Sequence, residues 1–167
     1  IRSFAVAVTE AVRARAERAE HLAGLRDELV RGVRAAVPGA VLRGPDPLVD
    51  PSRRLPGNAH FTFPGCEGDS LLYLLDSAGV QTSTGSACQA GVPQPSHVLL
   101  AMGVPEDDAR GALRFSLGAT STHADVQRLL DALPQVVARA QAAGLASSAG
   151  TSRGVSSTTT STTRRPA

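Results

Sequence analysis

At 167 residues the chain is long enough for one ordinary domain with its own core, and its 42% hydrophobic content fits a globular protein. Its apolar runs are a few residues each, far short of the roughly 20 that cross a bilayer, so no membrane partner is expected. The formal charge of +2 belongs to one end: Arg153, Arg164 and Arg165 stand in a segment without acids, and the remaining arginines are balanced by Asp and Glu, which leaves no basic face for nucleic acid.

All 17 basic residues are arginine. A chain without lysine cannot complete, by itself, a reaction that needs a side-chain amine. Two cysteines, Cys66 and Cys88, are too few for a disulfide scaffold and point to a reducing, cytoplasmic compartment. The chain opens on Ile1 in helical pattern, which predicts that its true beginning lies upstream.

Residues 1–36 read as one long helix or two abutting ones, with Leu22, Leu25, Leu29 and Val33 at helical spacing and Pro38-Gly39 as the stop. Its segment RARAERAEH is charged nearly all round, as in a solvated or domain-bridging helix. A small α+β domain over 37–145 follows. Val41-Leu42 predicts a short strand, GPDPLVDPSRRLPG an irregular loop, and NAHFTF a strand with Phe61 and Phe63 on one face. EGDSLLYLLDSAG predicts a helix closed by Gly79, and VQTST a short strand leading into a cysteine loop over 82–97.

SHVLLAMG predicts a short helix closed by Gly103, and 105–109 one further turn. ALRFSLG is a strand with Leu113, Phe115 and Leu117 facing one way and Arg114 and Ser116 the other. A last helix starts near Thr122, capped with Asp125, with Val126, Leu129, Leu130, Leu133 and Val137 as its stripe and Pro134 placed to kink it. Over 146–167 Ser and Thr dominate without apolar periodicity, which predicts a disordered tail. The expected architecture is a short, mostly antiparallel sheet covered by helices, with one long helix leading into it.

The cysteine loop STGSACQAGVPQPSHVL surrounds Cys88 with small residues, glycine and proline rather than branched apolar ones. That gives a thiol access and mobility, as a nucleophile needs; an incidental loop cysteine is the competing reading. Arg114, on the polar face of its strand, can offer a bidentate fork to a carboxylate, or else form an ordinary ion pair with Asp107 or Asp108. His97 at a helix start is a general acid or base or a packing residue, and His60 is structural. His60, Cys66, Cys88 and His97 lack the tight pairing of structural zinc modules, so no metal is expected.

Taken together, NAHFTFPGCEGDSLLYLLDSAGVQTSTGSAC, PSHVLLAMG and GALRFSLGATSTHADVQRLLDALPQVV resemble the carboxy-terminal part of a cysteine desulfurase, a pyridoxal-phosphate enzyme of the class V aminotransferase family. The blocks run in order from about Ile1 to Ala140. The resemblance implies the small domain of a fold-type I enzyme, with Cys88 in the GSAC block as the catalytic thiol and Arg114 in the RFSLG block holding the substrate carboxylate. The seven residues between Cys88 and Ser96 resemble the family's long mobile loop.

What it implies for the parent enzyme is conversion of L-cysteine to L-alanine, with a persulfide on Cys88 and sulfur passed to an acceptor or scaffold protein for iron-sulfur clusters or thio-cofactors, in a homodimer. The cofactor lysine, the group over the ring and the phosphate loop belong to a large domain with no counterpart here, so this piece is expected to be inactive alone. Ala119 stands where family members often carry a basic residue. The rival readings are a transaminase or selenocysteine lyase of the same family, and a non-enzymatic binding module.

Overall fold

The computed structural model describes residues 1–84 and 94–151, with the side chains of 145–151 left aside. The amino-terminal helix is two: α1 over Arg2–Arg13 and α2 over Arg15–Ala36. Then come β1 (Val41–Leu42), a 3-10 turn at Pro51–Arg53, β2 (Asn58–Thr62) and α3 (Gly68–Ser77). The short α4 (His97–Ala101) and α5 (Glu106–Arg110) precede β3 (Ala112–Ser116) and the long α6 (His123–Thr151). None of the described helices is long and apolar enough to cross a membrane.

The sheet has the order β1-β2-β3 and is antiparallel throughout, as the alternating pattern predicts. Register follows from which face is apolar, because a slip of one residue would turn every inward side chain outward. Ala59 and Phe61 on β2 and Leu113 and Phe115 on β3 therefore point one way, onto α2, α3 and α6. Phe61 is fully buried, with ring centroids 6.2 Å from Phe63 and 6.3 Å from Phe115, the latter pair edge-on.

Leu25, Leu29, Val30 and Val33 of α2 and Val126, Leu129, Leu133, Val136, Val137 and Ala140 of α6 close this core. Gly32 makes the crossing of these two helices close: a Cβ there would sit 2.3 Å from Leu130 Cδ1. Among the described residues, the other sheet face meets α4 and α5 at one end, through the small cluster Leu99, Val104, Ala109 and Ala112.

The helix ends follow their sequence signals. Gly79 and Gly103 have φ of 76° and 79°, and Val80 and Val104 donate back to the carbonyls of Leu75 and Leu99 at 2.9 and 3.0 Å. Thr122 and Asp125 form a reciprocal cap, Asp125 N donating to Thr122 Oγ1 at 3.3 Å and Thr122 N to Asp125 Oδ2 at 2.9 Å. The Thr122 hydroxyl, donating to Asp125 Oδ2 at 2.8 Å, and then the Thr122 backbone N–H hold the Asp125 carboxyl below its ordinary value.

Three local expectations change. VQTST forms no strand: among the described residues it contributes a single bridge, Ser83 to Arg114. Pro134 interrupts one backbone bond, yet α6 continues through it under packing from α2 and α3. The same helix reaches Thr151, so the backbone of 146–151 is helical where composition predicted none; the Ala-rich run before it favours continuation.

Candidate functional site

The outer sheet face carries one polar row. Leu42 packs inward, so the next residue, Arg43, points outward, and its N–H donates to the carbonyl of His60 at 2.8 Å. His60 stands opposite Arg114 in the β2–β3 register, and Arg114 exchanges two backbone hydrogen bonds with Ser83, at 2.6 and 3.2 Å. Arg43, His60, Arg114 and Ser83 thus lie side by side across the sheet. Neighbours in such a row have Cβ atoms about 5 Å apart.

Arg114 is exposed, and among the described residues it makes no ion pair, contrary to the ordinary surface pairing open to it in sequence. Asp108, one of the two acids weighed as its partner, accepts instead from Arg43 Nη2 at 3.3 Å, while Arg43 Nε donates to Thr62 Oγ1 at 2.8 Å. Among the described residues the guanidinium of Arg114 has no carboxylate partner, and a planar guanidinium can pair with a carboxylate through two parallel hydrogen bonds.

His60 is half-buried, and burial, followed by the positive charges of Arg54, Arg114 and Arg43, pushes its pKa below the ordinary 6.5. Its neutral form spares the row a third adjacent cation. The consequence for stability has a definite sign: as pH falls below 6.5 the unfolded chain takes a proton that native His60 refuses, so stability present above that pH is lost until the native imidazole itself titrates. His60→Asn is expected to flatten the fall of the urea midpoint between about pH 7 and 5, read against the wild-type curve. Parallel curves for the two proteins would refute this.

The remaining sequence candidates separate. His97 is exposed at the first position of α4. Cys66 lies on the opposite side of the sheet from His60, buried against α6, with its Sγ 3.8 Å from the carbonyl of Val137. Burial, then the charge of Glu67, pushes its thiol up to about 11, which makes it inert. Among the described residues no cluster could hold a metal. Cys88 lies outside the described residues. Sequence reasoning missed Ser83, Arg43 and the pair Arg53-Arg54; adjacent arginines in a Pro-rich loop without apolar pattern were the available signal.

The chain matches the class-V aminotransferase family over residues 16–129, a span that includes the whole polar row. It belongs to that family. It is 57% identical over 150 residues to the IscS-like cysteine desulfurase of Mycobacterium tuberculosis, covering 90% of this chain and 37% of that protein. With the cysteine desulfurase IscS of Clostridium botulinum it shares 47% over 121 residues, 72% of this chain and 30% of the relative. A solved NifS-like protein superposes with a TM-score of 0.62 at 29% identity, covering 77% of this chain and 30% of that one. The chain therefore spans about a third of the length of the relatives it matches.

Proposed function

We propose that the protein to which this chain belongs is a cysteine desulfurase, of which these residues form the small domain. Arg114 holds the carboxylate of L-cysteine, and Cys88 receives its sulfur. In the balanced reaction the Cβ–S bond of L-cysteine breaks, an S–S bond forms on Cys88, and L-alanine leaves with the hydrogen that the thiol gave up. Sulfur then passes from the persulfide to an acceptor or scaffold protein for iron-sulfur clusters or thio-cofactors. The protein works in the cytoplasm, as a homodimer.

One observation carries the reading: Arg114, without an ion pair among the described residues, is bridged through its backbone to Ser83, and Cys88 follows only five residues later. Even fully extended, that stretch spans at most about 18 Å, which tethers the thiol to the neighbourhood of the carboxylate site. Positioning of this kind replaces a bimolecular encounter.

Pyridoxal phosphate is the cofactor the family implies, and the residues present do not fit it. The chain has no lysine, and the outer face provides guanidinium and imidazole groups but no side-chain amine for an aldehyde. The cofactor belongs to other parts of the protein. What these residues supply is carboxylate binding and a thiol.

In the whole protein, L-cysteine is expected to yield alanine and protein-bound sulfane sulfur in equal amounts. Arg114→Gln is expected to raise KM for L-cysteine about 100-fold, the loss of a charge-assisted pair worth ~3 kcal/mol. Turnover of cysteamine, which lacks the carboxylate, should not change. Alanine without sulfane sulfur would overturn the desulfurase reading, and an equal effect of Arg114→Gln on both substrates would overturn the role of Arg114.

A further inference from the structure

Beside this row, on the far side of His60 from Arg114, lies a cavity of about 390 Å³ lined by Arg43, Arg53, Arg54 and His60 together with apolar residues including Leu55 and Met102. We propose that it binds a small aliphatic carboxylate, a site independent of the desulfurase reading. Its volume falls in the range of small-molecule sites, ~300–1,000 Å³.

No acid lines it among the described residues. Arg53 and Arg54 have no carboxylate within ion-pair distance there either. Burial, then the nearby charge of Arg26, disfavours the cationic form of Arg54, and the charge of Asp46 favours it less strongly.

The cationic wall is built in advance. Arg54 Nε donates to the carbonyl of Pro45 at 2.7 Å and its Nη2 to the carbonyl of Arg43. Arg43 is fixed by Thr62 and Asp108. Each guanidinium keeps one terminal nitrogen without a partner among the described residues. Gly44, at φ 81°, allows this packing, since a Cβ there would come 3.0 Å from Arg54 Nη2. Groups already held in place lose little entropy when an anion arrives.

The apolar part of the lining sets the rest of the ligand. Leu55 and Met102 are 74% and 53% exposed, large apolar side chains left in water beside the guanidiniums. A ligand with a charged head and a short hydrocarbon body satisfies both parts, and neither an inorganic anion nor an alcohol does.

The test titrates the full chain with sodium hexanoate at fixed ionic strength, following the His60 ring resonances and the affinity. Saturable movement of His60 is expected, with acetate about tenfold weaker, less than four fully buried methylenes would give. Arg53→Gln, at an exposed position, should weaken hexanoate about fivefold while leaving the fold intact, the size of a partly exposed charge contact. Equal binding of acetate and hexanoate, an unmoved His60, or an unaffected Arg53→Gln would each overturn the site. Loss of hexanoate binding in Arg114→Gln would move the carboxylate to Arg114 and overturn it as well.

Discussion

Cys88→Ser in the whole protein is expected to abolish sulfur transfer, by a factor of at least about 10³, with the fold and cofactor content unchanged. A hydroxyl cannot take up sulfane sulfur as a thiolate does, and its proton is held far more tightly. The chain offers no substitute. Cys66 is its only other cysteine, and it is buried, sits against α6 on the far side of the sheet from Arg114, and has its thiol pushed up to about 11. At pH 7 such a thiol is essentially all protonated, so both access and charge state bar it from standing in.

The measurement is alkylation of the enzyme after L-cysteine, followed by mass analysis of the peptides bearing positions 66 and 88. Extra sulfur should appear on Cys88 alone, and on neither peptide in the variant. Sulfur on Cys66, or transfer surviving in Cys88→Ser, would remove Cys88 from the reaction. Cys66→Ser supplies the control and should transfer normally.

The sheet was legible because its faces differ so sharply. Phe61, Phe63, Leu113 and Phe115 alternate with polar residues, and two strands with that pattern admit one register once their apolar faces must meet the same helices. Arg114 on the outer face followed directly. Helix ends were legible for the same local reason, since Gly79, Gly103 and the Thr122–Asp125 cap act within a single turn.

What stayed hidden was lateral. Nothing in a one-dimensional pattern shows that Asp108 would be claimed by Arg43, 65 positions away. His60 read as an ordinary strand residue; its lowered pKa comes from burial first, then from arginines brought from β3, the β1 extension and the 43–57 loop. The arginine-walled cavity is assembled from residues 43–60 and 96–102, so no contiguous motif announces it.

The row of polar residues rests on the core beneath it, and Phe61→Ala should show how far. Phe61 is wholly inaccessible, lies in the central strand and touches both Phe63 and Phe115. Truncation loses the transfer energy of the ring and leaves a hole that three layers of packed side chains cannot close, a cost of about 3–5 kcal/mol. Against the 5–15 kcal/mol that hold a typical domain together, that is a large fraction. Phe61→Leu, which keeps most of the volume, should cost less than about 1.5 kcal/mol. Tyr73→Ala, on the exposed side of α3, should stay within about 0.5 kcal/mol. Urea midpoints with unchanged slopes would report these differences. A Phe61→Ala protein within about 1 kcal/mol of wild type would mean that the site is held by something other than this sheet.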